Sequence, residues 1–125
     1  MARLYKTSAE IKGQNFNTGA ELIIENFEVA ESFWERGRGL LGRKKLDAGQ
    51  AMWIKHTNNI HTFFMNFSID CIFVNRQLEI VKIKKSVPPF RLVGPYWKSQ
   101  SVIEASAGFA DEKKLQVGDQ LYVVS

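Results

Sequence analysis

Two runs of β-forming residues lie on either side of a three-residue turn, and this arrangement limits the folds open to the chain. Residues 69–74 read IDCIFV, residues 78–83 read LEIVKI, and residues 75–77 between them read NRQ. Both runs are rich in isoleucine and valine, which fit the pleated surface of a sheet. Two such runs joined by a short polar segment predict an antiparallel hairpin, with neighbouring residues of each arm pointing to opposite faces.

Further short runs of the same kind extend along the 125 residues. The clear candidates are residues 21–30, 51–56, 102–106 and 120–124. A weaker pattern near the start makes residues 1–20 a further strand or an extension. Residues 32–44 carry the Ser-x-x-Glu spacing of a capping box and predict a short helix, and residues 110–115 predict another. We therefore predict a single mainly β domain, like a sandwich, a jelly roll or a barrel, with one or two short helices.

The segment 86–99 differs from the strands because it holds all three prolines of the chain. It also carries three aromatic residues, Phe90, Tyr96 and Trp97. Ordered loops of this kind commonly cover the end of a core or rim a site. The segment is therefore predicted to be a long ordered loop of one of these two types.

The positive charge of the chain is concentrated in its middle. Residues 51–100 hold seven Lys or Arg against two Asp or Glu, a net charge of +5, whereas the whole chain carries +4. Such a region either attracts an anionic partner or forms the solvated face of a strand. No apolar run approaches the roughly 20 residues of a membrane span, and the start, MARLYKTSAE, lacks the apolar core of a secretory signal. We expect a cytoplasmic protein.

Three segments carry a resemblance to a known family. HTFFMNFSID lies at residues 61–70, RGRGLLGRKKL lies upstream at 36–46, and VIEASAGFADEKKLQVGDQL lies downstream at 102–121. In this order, the chain resembles domain of unknown function 192, a family of small bacterial and archaeal proteins, over about residues 27–124. The resemblance implies a mainly β fold of sandwich or jelly-roll type, no settled activity, and export of some relatives. The departures from the family pattern are Asn66, Ser68 and Ser106.

The two histidines and the single cysteine do not have the spacing of a metal site. His56 and His61 are five residues apart, which places them on different faces of a helix or on opposite faces of a strand. Cys71 alternates with Ile69 and Phe73, so its side chain is predicted to pack among apolar neighbours. With one cysteine no internal disulfide can form, which fits a reducing compartment. We expect neither a metal nor a cofactor.

Three residues are candidates for acid–base chemistry: His61, Asp70 and Glu104. A carboxylate in a half-buried strand is costly unless it is paired or hydrogen-bonded, so Asp70 belongs either to a structural polar network or to a functional site. His61 beside a carboxylate has the chemistry of a general base, and its alternative is a satisfied structural histidine. Glu104 would form an acid–base pair with Asp70 only if the two lie close together.

These residues leave three functions open. The first is a binding or accessory module for a small polar or anionic ligand, acting as a monomer or weak dimer. Its candidate ligand-binding residues are Thr62, Arg91, Trp97 and Arg38. The second is a hydrolase- or lyase-type enzyme with Asp70 and His61 in acid–base roles. The third, ranked last, is nucleic-acid binding through residues 36–45 and the lysines at positions 82, 84 and 85.

Overall fold

The computed structural model describes residues 2–7, 19–30, 50–63 and 65–124. Within these ranges the chain forms nine strands and one short helix, numbered here in chain order. The strands are β1 (Ala2–Thr7), β2 (Glu21–Ala30), β3 (Gln50–Lys55), β4 (Ile60–His61), β5 (Ile69–Val74), β6 (Ile80–Val87), β7 (Leu92–Val93), β8 (Ser101–Ser106) and β9 (Gln120–Val124). The helix α1 spans Phe109–Glu112. The helix predicted over residues 32–44, and Arg38 with it, lies outside the described residues.

Seven of the strands form one sheet in the order β6-β5-β8-β3-β2-β1-β9. β2 and β3 run parallel, and every other neighbouring pair of this sheet is antiparallel. β4 and β7 form a separate two-stranded sheet. The prediction of a mainly β domain is confirmed. The predicted hairpin is also present, because β5 and β6 pair antiparallel on either side of the turn at residues 75–77.

The two outer strands of the large sheet meet at one corner. The amide of Ile80 donates to the carbonyl oxygen of Asp119 at 2.9 Å, and the amide of Gly118 donates to the carbonyl oxygen of Ile80 at 2.9 Å. The amide of Leu121 donates to the carbonyl oxygen of Leu78, also at 2.9 Å. The sheet is therefore curled. Within the described ranges β6 and β9 are not paired along their lengths, so the sheet is not a closed barrel.

β5 is buried along its whole length because the sheet is covered on both faces. We call the face that packs against α1 the helix face, and the opposite one, beneath the loops, the loop face. The core of the helix face includes Ile72, Val74, Ile103, Ala105, Phe109 and Ala110. The core of the loop face includes Met52, Met65, Cys71, Phe73, Val93 and Val102. Consecutive residues of β5 therefore point into different cores, as the alternation of the sequence predicts.

The helix α1 is held in place by Lys6, which belongs to the distant strand β1. The Lys6 ammonium donates to the carbonyl oxygen of Lys113 at 2.6 Å and to that of Lys114 at 3.3 Å. Lysine is well suited to the carbonyl end of a helix, where the last C=O groups lack intrahelical partners. The helix is one turn long and shorter than the sequence predicts, since Lys114 already has a left-handed φ of 55°.

Candidate functional site

Asp70 lies where β6 contains one extra residue. Ile69 pairs with Val87 and Cys71 pairs with Lys84, so two residues of β6 stand opposite Asp70. A bulge of this kind leaves part of the hydrogen-bond ladder unpaired. The carboxylate on the helix face is therefore placed next to backbone amides that need an acceptor.

The Asp70 carboxylate meets this need with both of its oxygens. Oδ1 accepts from the amide of Ser86 at 2.8 Å, and Oδ2 accepts from the amide of Ala110 at 2.8 Å. The Asp70 side chain is fully buried. Hydrogen bonds from backbone amides to a charged acceptor are among the stronger ones in proteins, so Asp70 ties the bulge of β6 to the start of α1. The arrangement is that of a structural polar network.

His61 and Thr62 are neighbours in the chain and have opposite environments. The His61 ring is exposed and lies 5.4 Å from the ring of Phe63. The Thr62 side chain is fully buried, and its hydroxyl donates to the carbonyl oxygen of Pro88 at 2.7 Å and accepts from the amide of Arg91 at 2.9 Å. Thr62 thus fastens the proline-rich loop to the two-stranded sheet. The structure does not bring His61 into a hydrogen bond with Asp70.

Glu104 and Asp70 lie on opposite faces of the sheet. Asp70 is directly opposite Ala105, whereas Glu104 is directly opposite Cys71 on the loop face. Both carboxylates are buried, but the sheet itself stands between them. They therefore do not form the acid–base pair considered from the sequence. Glu104 instead places a carboxylate beside the Cys71 thiol.

The environment of Cys71 opposes thiolate formation. Burial raises the pKa of the Cys71 thiol well above its ordinary value, and the negative charges of Glu104 and Asp70 raise it further. A thiol that stays protonated is a poor nucleophile and a poor metal ligand. The prediction that Cys71 packs as a small apolar residue agrees with its place in the loop-face core.

Cys71 is accordingly expected to resist thiol reagents while the protein is folded. Its reaction with a chromogenic disulfide at neutral pH should be at least ~100-fold slower than in concentrated guanidinium chloride, because the reagent must wait for an opening event. An exposed thiol introduced by Val117→Cys in a Cys71→Ala background provides the control and should react at once. Equal rates for native and unfolded wild-type protein would contradict the burial of this thiol.

Arg91 and Trp97, two predicted ligand-binding residues, are exposed on the proline-rich loop. The Arg91 guanidinium donates to the carbonyl oxygen of Phe90 at 3.3 Å. Trp97 is 82% exposed in a tight turn that is closed by a bond from the amide of Ser99 to the carbonyl oxygen of Tyr96 at 2.9 Å. Neither side chain reaches the buried carboxylate of Asp70, which is fully engaged by backbone amides.

A shallow polar cleft of about 390 Å³ lies at the end of the sheet where β3 and β5 finish and β8 begins. We call it the polar cleft; its lining residues are His56, Thr57, Asn58, Asn59, Ser99 and Gln100. From the sequence, His56 is a candidate only for metal binding, and the cleft that it lines is not predicted. The sequence shows a turn-forming Asn58-Asn59 pair at this position, but such a pair does not reveal which distant segment packs against it.

Backbone hydrogen bonds from two distant segments build the polar cleft. The amide of Thr57 donates to the carbonyl oxygen of Gln100 at 3.0 Å, and the amide of Tyr96 donates to the carbonyl oxygen of Asn58 at 3.0 Å. Gly94 allows this close approach, because a Cβ at that position would lie 2.7 Å from the carbonyl oxygen of Asn58. Among the lining side chains, the Thr57 hydroxyl donates to the carbonyl oxygen of Asn59 at 2.8 Å and the buried Ser99 hydroxyl donates to that of Ser101 at 2.9 Å, so a ligand would meet chiefly His56, Asn58 and Gln100.

The surroundings of the polar cleft are positively charged. Lys55 and Lys98 adjoin its two walls in the chain, and Arg76 lies in the turn after Val74, whose carbonyl oxygen accepts from the amide of Gln100 at 2.8 Å. The acidic residues of the segment 50–100 are Asp70, which is buried on the helix face, and Glu79, which accepts from the side-chain amide of Asn75 at 3.2 Å. The charged residues that lie nearest to the cleft along the chain, Lys55 and Lys98, are therefore both basic.

The described ranges contain neither a metal-binding cluster nor a membrane-spanning helix. Residues 2–7, 19–30, 50–63 and 65–124 contain no group of three or more His, Cys, Asp or Glu side chains arranged to hold a metal ion. In the same ranges no helix has both the length and the apolar character needed to cross a membrane.

Comparison with protein families gives a match along most of the chain. The model of DUF192, described as "Uncharacterized ACR, COG1430", matches residues 15–123. The chain belongs to DUF192. This confirms the resemblance seen in the sequence. In this DUF192 domain the signature at residues 61–70 runs from the end of β4 to the start of β5. Two of its polar members, Thr62 and Asp70, have buried side chains with structural hydrogen bonds.

Relatives of this DUF192 domain are found among archaeal proteins. A UPF0127 protein of Thermococcus sibiricus is 29% identical over 98 residues, which are 75% of this chain and 63% of that protein. A UPF0127 protein of Pyrococcus horikoshii is 30% identical over 96 residues, which are 74% of this chain and 83% of that protein. The chain therefore spans less than two thirds of the Thermococcus protein.

Two crystal structures share the fold. A protein of unknown function from Novosphingobium aromaticivorans superposes with a TM-score of 0.76 at 17% identity, covering 96% of this chain and 83% of that one. A protein from Sinorhizobium meliloti, crystallised as a proposed transcription regulator, superposes with a TM-score of 0.80 at 18% identity, covering 98% and 92%. At these identities the likeness concerns the fold alone.

Proposed function

We propose that this DUF192 domain is a binding module for a small anionic or polar ligand, taken up in the polar cleft. The observation that carries the proposal is the cleft itself, which has about 390 Å³ of space and polar side chains along both walls. Clefts of this size are common among small-molecule sites. Because the cleft is shallow, a bound ligand would keep one side in water, and its affinity would be modest.

The lining residues supply the donors that an anion needs. His56, Asn58, Asn59 and Gln100 each carry side-chain N–H groups. Lys98, next to the wall residue Ser99, adds a positive charge that would draw an anion toward the cleft. Trp97, one of the ligand-binding residues predicted from the sequence, belongs to the same turn and offers an exposed ring beside it. Thr62 and Arg91 do not line this cleft.

The acid–base alternative has less support from the geometry. Both oxygens of Asp70 are engaged by backbone amides, and His61 is exposed elsewhere. Glu104 lies on the other face of the sheet from Asp70. A general acid or base has to reach its substrate within hydrogen-bond distance, and a side chain enclosed in the core does not.

The nucleic-acid alternative rests on residues 36–45, which lie outside the described residues, on the exposed Lys82 and Lys84 of β6, and on the name of the Sinorhizobium protein. Lys85, the third lysine of that run, is already bonded to Asp111 at 2.6 Å. Two lysines on one strand make few phosphate contacts, and such contacts supply most of the affinity for nucleic acid. We therefore place this function behind ligand binding.

The proposal is tested by titrating isotopically labelled protein with inorganic phosphate, succinate, glucose 6-phosphate and uncharged glucose. The three anions are expected to shift the amide resonances of residues 56–59 and 97–100, whereas glucose alone should have a smaller effect. Lys98→Glu should weaken anion binding by roughly threefold to tenfold, the effect of one nearby, partly screened charge.

Lys84→Glu is the matched control because it makes the same change of charge on the exposed face of β6, away from the cleft. It should leave the dissociation constants within about twofold of wild type. The proposal would be contradicted if resonance shifts spread over other parts of the surface, or if the two variants lost equal anion affinity. Either result would show that the anions respond to net charge and that the polar cleft is not their site.

A further inference from the structure

We propose that a second surface, separate from the polar cleft, docks a short acidic segment of a partner protein that also carries apolar side chains. We call this surface the aromatic patch; its members are His61, Phe63, Phe90 and Leu92. None of them lines the polar cleft. The proposal therefore goes beyond ligand binding in the cleft and does not depend on it.

The members of the aromatic patch form a continuous row. Leu92 is the cross-strand neighbour of His61, the rings of His61 and Phe63 are 5.4 Å apart, and those of Phe63 and Phe90 are 6.4 Å apart. Phe90 is 64% exposed and Leu92 is 75% exposed. Single apolar residues are common on protein surfaces, but several exposed side chains in mutual contact mark an interaction site.

The aromatic patch is held rigidly from beneath. The carbonyl oxygen of Thr62 accepts from the amide of Phe90 at 3.1 Å, and the Thr62 hydroxyl accepts from the amide of Arg91 at 2.9 Å. The amide of Thr62 in turn donates to the carbonyl oxygen of Arg91 at 2.9 Å. These bonds hold Phe90 at a left-handed φ of 63°, which a bulky residue rarely adopts. A backbone that is fixed before binding loses little freedom on docking, which favours the use of Phe90 as an anchor.

The charge around the aromatic patch selects the type of partner. Residues 56–69 and 86–100, which include the patch and the proline-rich loop, contain Arg91 and Lys98 and no Asp or Glu. Arg91 lies between Phe90 and Leu92 in the chain, and its guanidinium is exposed. A second copy of the same surface would bring like charges together. A segment with carboxylates next to apolar side chains would instead match both the rings and the charge.

The experiment selects binders from a random library of displayed 12-residue peptides, with the folded wild-type domain as bait. Enriched peptides are expected to combine Asp or Glu with large apolar residues. In fluorescence anisotropy with a synthetic enriched peptide, Phe90→Asn should weaken binding at least ~10-fold, since a docked aromatic anchor is lost. Asparagine tolerates a left-handed φ, so this variant keeps the loop conformation. Arg91→Glu used as bait should shift the enriched peptides toward Lys and Arg.

Val117→Ser is the matched control, because Val117 is 60% exposed and lies outside the aromatic patch. It should leave peptide affinity within about twofold of wild type. Three results would each overturn the proposal: enriched peptides without acidic residues, equal affinity for wild type and Phe90→Asn, or the same peptides enriched on both baits. Two further results would also overturn the proposal by assigning the patch to another occupant. One is self-association in sedimentation velocity that Phe90→Asn abolishes, and the other is binding to anionic phospholipid vesicles that the same substitution abolishes.

Discussion

Replacing Asp70 by alanine is expected to lower the free energy of unfolding by about 3 kcal/mol. The substitution removes the acceptor of the buried amide of Ala110 and of the partly buried amide of Ser86, each bonded at 2.8 Å. Neither amide gains a new acceptor, and a buried donor without a partner costs roughly 1–3 kcal/mol. Because Ser86 belongs to the bulge of β6 and Ala110 to α1, both elements should loosen together.

Chemical denaturation monitored by tryptophan fluorescence measures this loss. Asp111→Ala is the control, since Asp111 is an exposed carboxylate that also makes a short bond, to Lys85 at 2.6 Å. Exposed ion pairs contribute little to stability because water and salt screen them, so this variant should stay close to wild type. Asp70→Asn keeps one acceptor oxygen and should fall between the two. A loss below about 1 kcal/mol for Asp70→Ala would mean that water replaces the carboxylate.

Gly94→Ala is expected to destabilise the domain by about 2–4 kcal/mol and to abolish anion binding in the polar cleft. Gly94 has a left-handed φ of 95°, and an added Cβ would lie 2.7 Å from the carbonyl oxygen of Asn58. That oxygen accepts the Tyr96 amide that joins the two walls of the cleft. Both the added Cβ and the Asn58 carbonyl oxygen are attached directly to the backbone, so neither can rotate away. The clash is therefore relieved only if the two walls of the cleft move apart.

Gly108→Ala separates the cost of a left-handed backbone from the cost of the contact with Asn58. Gly108 has the same φ of 95°, but a Cβ there would meet nothing within 4 Å. This variant should therefore lose only about 1–2 kcal/mol, the cost of a left-handed alanine, and should keep anion binding unchanged. Unfolding curves and phosphate titrations of both variants check the prediction. Equal losses of stability would show that the contact with Asn58 contributes nothing.

Alternation and turn chemistry were enough to predict the hairpin and the two environments of β5. Asp70 and Cys71 are neighbours, so a period of two already places them on different faces. The parallel pairing of β2 with β3 and the corner between β6 and β9 were not predictable. Both join segments far apart in the chain, and local residue patterns carry no information about which distant strands become neighbours.

The candidate site was harder to predict than the fold, for a physical reason. The polar cleft is assembled by main-chain bonds between residues 56–59 and 94–100, and any non-proline residue can donate or accept such a bond. The polarity of Asp70 and Thr62 was visible in the sequence, but their partners are backbone groups of Ser86, Ala110, Pro88 and Arg91. Nothing in a sequence distinguishes a carboxylate that binds amides from one that binds a substrate.

The corner at which β6 meets β9 has a consequence for the lysines of β6. β6 pairs with β5 on one side, and in the part of the chain that the structure describes its other side is joined to β9 only near Ile80. A strand edge of this kind is a template onto which another copy can add, the first step toward aggregates. Lys82 and Lys84 follow that corner with exposed side chains, and ammonium groups along a strand repel an identical strand. We therefore expect Lys82 and Lys84 to oppose the addition of a second copy along the described part of this edge.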